Sequence, residues 1–434
     1  MTQAMIHPKD INLAKAEVFE RAEAHELLRI LRNHEPVHWN PGGHRNNDFW
    51  NITKYEDVLF VSRHPEIFIS SKGIAGSGLR PEVMAELMKD PATAPSATGN
   101  GNVSIITMDP PRHVKIRRLV NKGFTPRAVN AMEPEIRRIT NEILDTIASR
   151  GECDFVVDVA AQLPLAVICG MMGLEREHWP LMFELTNKVL GSGDPEYQAE
   201  VPEEERGSAE AAMRTAQAGR MKMMGFFHDV LEDRRRNPRE NDLPTILLES
   251  EVDGEKLTEG DILAFCFLLI LAGNETTRNA ISGGLLVLDE HPEEKRRLLN
   301  DMSLMESAIE EILRWTSPLH HMSRAATQDV QIRDKTIKAG DRVFMWYPSA
   351  NRDEDIFEDP YKFDITRTPN DHLAFGIGEH FCLGAGFARL ELQVLFEELL
   401  RRFPDIELAG PPERLRSTFI GGIKHLPVKF TPEA

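Results

Sequence analysis

The residue best suited to chemistry is Cys382, near the end of the glycine-rich run 375–384 and directly before a strongly periodic helical stretch. A helix N-terminus carries partial positive charge and favours a thiolate. Glycines allow backbone amides to turn toward the sulfur. A lone cysteine is more often a small buried hydrophobe. A stabilised thiolate, in contrast, cannot complete a zinc site alone but can be the single axial ligand of a haem.

A second candidate group, Ala-Gly-Asn-Glu-Thr-Thr at 272–277, lies inside a long apolar helical stretch. We predict that this helix has its N-cap at Thr258 and runs to about Glu290. A buried carboxylate must be paired, hydrated or neutralised. Glu275 therefore either pairs with a neighbouring cation while Thr276 bonds back to a carbonyl, or the two side chains manage protons beside a bound reactant.

The elements that must position these residues are mostly helices, because helical periodicity dominates the chain and few βαβ alternations are visible. We predict a mainly α protein with a smaller β region, an α+β fold, organised as a single domain over residues 1–434. Three segments carry most of the predicted β structure: 38–70, 325–350 and 415–432.

Composition excludes several classes of function. The chain has 51 Lys and Arg against 69 Asp and Glu, a formal net charge of -18, so nucleic-acid binding is not expected. Its 4 cysteines form no CxxC pair, which argues against a zinc ribbon, an iron–sulfur cluster or a disulfide framework. The longest apolar stretch, 262–273, is shorter than the ~20 residues that span a bilayer, and the N-terminus has no signal-peptide pattern. We therefore expect a soluble, cytoplasmic protein without a membrane anchor.

The pattern F-x-x-G-x-H-x-C-x-G at 375–384 resembles the haem-binding loop of the cytochrome P-450 superfamily. The resemblance extends from about residue 49 to residue 427 and points to the soluble bacterial type. It implies the cytochrome P-450 fold, a helix-rich prism with haem b between a long central helix and the helix after the cysteine loop. It further implies that Cys382 is the metal ligand and that one oxygen atom of O2 is inserted into a C–H bond.

The resemblance also assigns roles to other residues. Gly273 would open a gap for dioxygen, Thr276 would organise water at the bound oxygen, and Glu275 would relay protons, although Asp is more frequent at that position. The residues assigned to haem binding are of two kinds. The basic partners of the propionates are His113, Arg117, Arg324 and His380, and the loop residues around the haem are Phe375, Gly376 and Gly384. Residues assigned to fold integrity rather than chemistry are Glu311, Arg314 and Arg367.

Mostly apolar side chains are expected to line the substrate pocket, which implies a lipophilic guest such as a terpene, a steroid or a sterol side chain. By family position these residues are Leu268, Leu269, Ala272, Leu319, His320, Met322, Phe419 and Ile420. His320 and His321 either bind a polar group of the substrate or face the haem edge. Two turn-rich segments, 91–102 and 191–207, match the family's pocket lid, although such composition is more often an ordinary surface loop.

The chain contains no GxGxxG motif and no fused ferredoxin module. By the resemblance, electrons from NAD(P)H arrive through a separate ferredoxin reductase and ferredoxin. A basic stretch at 112–127 is either a docking surface for an acidic ferredoxin or a mixed-charge solvated face. Its members are Arg112, Lys115, Arg117, Arg118, Lys122 and Arg127.

Three other functions are weighed against this one. Peroxide-driven haem enzymes of the family tend to replace the acid–threonine pair, which is intact here. A non-catalytic haem sensor or carrier would not need Glu275 and Thr276 in a buried helix. A cysteine hydrolase with His380 as base is disfavoured, because loop residues two positions apart rarely point together.

Overall fold

The computed structural model describes residues 6–41, 48–75, 104–240, 242–252 and 254–433. The predicted lid segment at 91–102 lies outside the described residues. The α-helices in these ranges are α1 Ala16–Glu20, α2 Ala24–His34, α3 Tyr55–Arg63, α4 Arg112–Val120, α5 Pro126–Ala131, α6 Glu133–Ile147, α7 Gln162–Met171, α8 Trp179–Leu190, α9 Ala209–Arg236, α10 Leu243–Glu249, α11 Glu259–Glu290, α12 Pro292–Asn300, α13 Met305–Thr316, α14 Tyr347–Ala350 and α15 Ala385–Arg402.

The described strands are short and form one larger sheet and several small ones. They are β1 Val37–Asn40, β2 Phe49–Ile52, β3 Phe68–Ile69, β4 Glu152–Asp154, β5 Glu251–Val252, β6 Glu255–Lys256, β7 His321–Ala326, β8 Val330–Ile332, β9 Lys335–Ile337, β10 Arg342–Trp346, β11 Glu407–Leu408, β12 Glu413–Arg414, β13 Ile423–His425 and β14 Pro427–Lys429. The larger sheet has the order β1-β2-β10-β7-β3, and within it β2 and β10 are parallel while the other pairs are antiparallel. The small sheets are β11-β14-β4, β12-β13, β5-β6 and β8-β9.

This architecture confirms the predicted fold class, mainly α with a smaller β region. Most strands fall in or beside the three predicted segments, although the second segment begins earlier, at His321. The strands β4, β5, β6 and β11 lie outside them. Each of these has only two or three residues, which is too short for an alternating apolar pattern to appear in the sequence.

The long central helix is α11, with the predicted ends. Its N-cap is Thr258, whose Oγ1 accepts a hydrogen bond from the Asp261 amide at 3.2 Å. Pro292 starts the next helix in its first turn, where the missing N–H of proline costs nothing. By length and composition α11 could cross a membrane, but 56% of its most apolar window is buried inside the protein. That burial is typical of a core helix.

Two apolar clusters meet at α11. Its N-terminal half packs with residues of α7, α8 and α9, and its C-terminal half packs with α6, α13 and α15. The second contact is close at Gly284, where a Cβ would lie 2.8 Å from Cζ of Phe396 and 3.0 Å from Cγ2 of Ile312. The central helix is therefore fixed against the helix that follows Cys382.

Candidate active site

Two glycines with positive φ shape the cysteine loop, Gly376 at 66° and Gly378 at 76°. A Cβ on Gly378 would also lie 2.7 Å from the Ser62 carbonyl oxygen, so a larger residue does not fit there. The Cys382 amide closes the loop by donating to the Phe375 carbonyl at 2.9 Å. Helix α15 begins three residues later, so the cysteine lies at a helix N-terminus as predicted.

The Cys382 side chain is accessible but lies deep in the protein. Burial is the largest influence on its pKa and raises it above the ordinary value of 9.0, while the Gly384 amide and the charges of Arg117 and Arg389 act to lower it. Stabilisation of a thiolate by the helix end is therefore present but smaller than the cost of desolvation. Because a coordinating metal ion deprotonates a thiol outright, this environment suits a metal-bound sulfur better than a free thiolate.

Four basic side chains predicted to act together do gather beside the loop: His113, Arg117, Arg324 and His380. The rings of His113 and His380 are 4.1 Å apart between centroids. Burial, reinforced by the arginines, lowers the pKa of His113 to about 4 and the pKa of His380 to about 3. Burial also lowers the pKa of both arginines. The group therefore combines two poorly solvated guanidinium cations with two imidazoles that are neutral near pH 7, all of them able to donate N–H hydrogen bonds.

These donors lack a counter-charge. Within the described part of the chain none of the four forms an ion pair with a carboxylate, and Arg117 and Arg324 instead donate to the carbonyls of Phe381 and Ser323. The Nδ1 atom of His113 is buried without a hydrogen-bond partner. Buried polar and charged groups are costly unless they are paired. The residues present therefore fit a cofactor that carries carboxylates, as haem does.

The middle of α11 presents a surface of small residues. Ala272 is exposed and Gly273 is half-buried, although most of the helix around them is buried. A Cβ on Gly273 would touch only the side chain of Ile168, at an ordinary 3.6 Å. Packing inside the protein does not require glycine at this position, so the small-residue surface fits a bound ligand better than a helix contact.

The contacts of Glu275 and Thr276 match the first of the two alternatives predicted from the sequence, in which the acid pairs with a cation and the threonine bonds back to a carbonyl. Thr276 Oγ1 donates to the Ala272 carbonyl at 2.7 Å. Glu275 is buried and ion-paired with Arg278, while its Oε1 has no hydrogen-bond partner. Burial raises the pKa of Glu275, and Arg278 opposes that rise. These contacts describe the protein's own side chains and leave the proton-handling role of the pair as a prediction.

Sequence reasoning missed the network around this acid. Arg278 donates from Nη1 to Oδ1 of Asn187 on α8 at 2.8 Å, and Asn274 donates to Oγ1 of Thr186 at 3.1 Å. Arg278 follows Glu275 by three positions, a spacing that pairs side chains on a helix and that could have revealed it. Asn187 and Thr186 are distant in sequence and carry no such signal.

The three residues assigned to fold integrity come together as predicted. Arg314 donates from Nε and Nη2 to the Glu311 carboxylate at 2.7 and 2.8 Å, and Arg367 Nε lies 3.2 Å from Glu311 Oε2. Arg314 also donates to the carbonyls of Asn351 and Pro360. Glu311 and Arg314 are fully buried, so removal of Glu311 would leave Arg314 without its counter-ion, while removal of Arg314 would leave Glu311 with Arg367 as its one remaining cation among the described residues.

The predicted pocket residues come from three segments, and two of these are in direct contact. Leu319 and Ile420 form an isolated antiparallel bridge, and the His320 amide donates to the Phe419 carbonyl at 2.9 Å. The C-terminal turn also approaches α11 near Asn279. Half-buried members of the set are Leu268, Leu319, His320, Met322 and Phe419, fully buried members are Leu269 and Ile420, and Ala272 is exposed.

The two histidines occupy different surroundings. His320 stacks on Phe19 at 4.6 Å, and burial lowers its pKa to about 4. His321 is buried in a cluster of aromatic rings, 4.4 Å from Phe344 and 4.8 Å from Trp346, and neither ring nitrogen has a partner. Burial lowers the pKa of His321 to about 3, so both rings are neutral near pH 7.

Comparison with known proteins agrees with this geometry. The Cytochrome P450 family model matches residues 58–407. The methyl-branched lipid omega-hydroxylase of Mycobacterium tuberculosis is 42% identical over 396 residues, which cover 90% of this chain and 86% of that protein. The steroid C26-monooxygenase of Mycolicibacterium smegmatis is 35% identical over 431 residues, covering 98% and 94%. A solved Mycobacterium marinum cytochrome P450 in complex with pseudoionone has a TM-score of 0.85 at 32% identity, covering 98% of this chain and all of that one.

The chain therefore belongs to the cytochrome P450 family. It is an oxidoreductase, a haem monooxygenase of lipophilic molecules, with O2 as the second substrate. The resemblance stated on the sequence is confirmed.

Proposed function

We propose that the protein hydroxylates the end of a branched aliphatic chain in a terpene, a sterol side chain or a methyl-branched lipid. The observation that carries the chemistry is an accessible cysteine in a glycine loop beside two arginines and two histidines that form no ion pair within the described residues. The printed activities of the relatives, a methyl-branched lipid omega-hydroxylase and a steroid C26-monooxygenase, support this class of substrate.

Haem b is the proposed cofactor. Cys382 would ligate its iron and the four basic side chains described above would hold its propionates. When bound, the cofactor supplies the activation of O2. The protein's task is then to orient the substrate, exclude water and deliver protons.

Proton delivery is assigned to Glu275 and Thr276. Burial favours the protonated form of Glu275, so its carboxyl group is suited to hold a proton, and Arg278 can stabilise the carboxylate after the proton leaves. The Thr276 hydroxyl donates to the Ala272 carbonyl. It can instead rotate and donate to a ligand on the same face of α11.

The segment 191–207 is proposed as the lid of the substrate pocket. Asp194 and Glu196 in this segment accept ion pairs from Lys424 at 3.1 and 2.9 Å, and Glu196 lies 3.0 Å from His425 Nε2. Lys424 and His425 belong to the strand that follows the predicted pocket residues Phe419 and Ile420. A ligand entering beside that turn would therefore meet this segment.

Electrons are proposed to come from NAD(P)H through a ferredoxin reductase and a ferredoxin. Three exposed cations of the basic stretch, Arg118, Lys122 and Arg127, have no carboxylate partner in the parts of the chain that the structure describes. Arg112 pairs with Asp261, so the proposed docking surface is smaller than the sequence suggests.

We also propose that the chain forms one domain, since both apolar clusters meet at α11. We propose a cytoplasmic location for it.

Spectral titration of the purified ferric protein tests the substrate class. Branched lipids, sterols and terpenes should displace the iron-bound water and shift the absorption band at lower concentration than straight-chain fatty acids or aromatics. A panel in which aromatics bind best would overturn the proposed substrate class.

Thr276→Ala separates the candidate functions. In a monooxygenase with ferredoxin and reductase, this variant should still consume reducing equivalents but yield less product and more peroxide. A haem carrier would be indifferent to the substitution. Product formed from hydrogen peroxide alone, at the rate of the reconstituted system, would favour a peroxide-driven enzyme.

A further inference from the structure

A partly buried ion pair joins α13 to α15 on the cysteine side of the site. Arg389, seven residues after Cys382, donates from Nε to Oε1 of Glu310 at 2.6 Å and from Nη2 to Oε2 at 2.9 Å. The arginine is 38% exposed and the glutamate 27% exposed. A two-point contact of this kind fixes the guanidinium in both position and orientation.

His372 adds a third member and fixes the carboxylate. The Ala374 amide donates to His372 Nδ1 at 3.2 Å, so Nε2 carries the ring proton and donates to Glu310 Oε2 at 3.2 Å. Burial alone would raise the pKa of Glu310, but the hydrogen bonds from Arg389 and His372 lower it to about 2. Glu310 is therefore ionised near neutral pH.

The charge of Arg389 is directed at the cysteine loop. Its Cζ lies 4.5 Å from the centroid of the Phe375 ring, a cation–π distance. Phe375 is the residue whose carbonyl accepts the Cys382 amide. The cation thus rests on the residue that is hydrogen-bonded to the proposed ligand, and its charge reaches the Cys382 sulfur.

We propose that Arg389 is a positioning residue for electron transfer, which raises the reduction potential of the haem by holding a cation beside the cysteine loop, with Glu310 as the opposing charge. This inference rests on the proposed function. Reduction by the proposed ferredoxin transfers one electron to the ferric haem–thiolate centre and breaks no bond. A fixed cation nearby stabilises the extra negative charge, and a fixed anion destabilises it.

Potentiometric titration of the haem-loaded protein tests the proposal without a ferredoxin, so an effect on docking cannot contribute. Arg389→Met removes the cation and leaves the Glu310 carboxylate with its hydrogen bond from His372 but without a counter-ion. The ratio of ferrous to ferric protein at a fixed ambient potential should fall about tenfold, which is a shift of about 59 mV for a one-electron couple. Glu310→Gln should shift the potential in the opposite direction, and Arg389→Lys should stay close to the parent protein.

Opposite signs for the two charge-removing variants are the decisive result, because a merely structural role would not produce them. Equal potentials in the parent, Arg389→Met and Glu310→Gln, with the thiolate-type carbon monoxide spectrum retained, would overturn the proposal while leaving the proposed function intact. If Arg389→Met binds no haem, the sign of the Glu310→Gln shift decides. Loss of the thiolate-type spectrum in the parent protein itself would instead contradict the proposed function.

Discussion

At the scale of single residues, the site depends on ionisable groups that are buried with few partners. Glu275 has one cation and one unpartnered oxygen, and His113 has a buried nitrogen without a partner. Each such group lowers the free energy of unfolding of the protein when no ligand is bound beside it. Their concentration near the cysteine loop and the small-residue face of α11 is typical of a site where stability is given up for ligand binding and chemistry.

The ion pair of Glu275 and Arg278 yields the first prediction. Arg278→Met should destabilise the protein by about 3 kcal/mol or more, because a buried carboxylate is left without its counter-ion. The pKa of Glu275, already raised by burial above its ordinary value of 4.5, should rise further. When an acid has a higher pKa in the folded state than in the unfolded state, the protein becomes less stable as pH rises from the unfolded-state pKa to the folded-state pKa.

Urea unfolding across pH checks this expectation. The free energy of unfolding of Arg278→Met should fall further below that of the parent protein as pH rises above about 4.5. The double variant with Glu275→Gln should recover much of this loss. A deficit that does not change with pH and that Glu275→Gln does not relieve would contradict the assignment of Arg278 as the counter-ion.

At the scale of elements, the segment 191–207 is held against the C-terminal strands by charge. His425 lies between Asp154 on β4 and Glu196 in the segment, with Glu413 on β12 and Lys424 on its own strand nearby. These contacts join parts of the chain that are far apart in sequence. They make the attachment of the segment to these strands sensitive to the protonation of one histidine.

The second prediction follows from the sign of that titration. Burial acts to lower the pKa of His425, but hydrogen bonds to Asp154 and Glu196 raise it above the ordinary value of 6.5. A histidine whose pKa is raised on folding stabilises the protein. This stabilisation is fully present below the pKa of the unfolded state and is lost as pH rises through the pKa of the folded state. The contribution should be about 1 kcal/mol, since the ring is partly exposed.

Amide hydrogen exchange of residues 191–207 measures the effect. Protection should fall as pH rises above about 6.5 after correction for intrinsic exchange, and His425→Gln should abolish that dependence. The matched control is Lys424→Met, which should weaken the segment by a similar amount at every pH in this range. An unchanged pH dependence in His425→Gln would show that another group titrates.

How far the sequence predicts these elements depends on the range of the interactions. The central helix, with its N-cap at Thr258, and the Glu311–Arg314 pair follow from local spacing and were predictable. The haem loop was recognisable because five positions in a run of ten carry the residues of the family pattern, Phe375, Gly378, His380, Cys382 and Gly384. The contacts of Asn187 with Arg278 and of His425 with Asp154 bring distant segments together, and no local pattern encodes them.

At the scale of the whole molecule, charge is distributed unevenly. The net charge is -18, yet α4 and the turn after it carry exposed cations beside the cysteine loop. The net negative charge would repel an acidic protein, and this group of cations would attract it. This asymmetry would orient an acidic electron donor toward the proposed ligand.

The third prediction tests that orientation. Charge reversal at Arg118 or Lys122 should raise the ferredoxin concentration for half-maximal turnover several-fold at low ionic strength, and the effect should shrink as salt is added. Lys9→Glu, which makes the same change of charge in the N-terminal segment, is the matched control. Equal half-maximal concentrations for the parent, Arg118→Glu and Lys122→Glu at low salt would refute the docking surface.

The central claim is that the sulfur of Cys382 ligates the haem iron, and carbon monoxide difference spectroscopy tests it most directly. The reduced protein should show the red-shifted absorption band of a haem–thiolate carbon monoxide complex, and Cys382→Ser should lose that band. A colourless protein, or a band typical of imidazole ligation as in globins, would contradict the account.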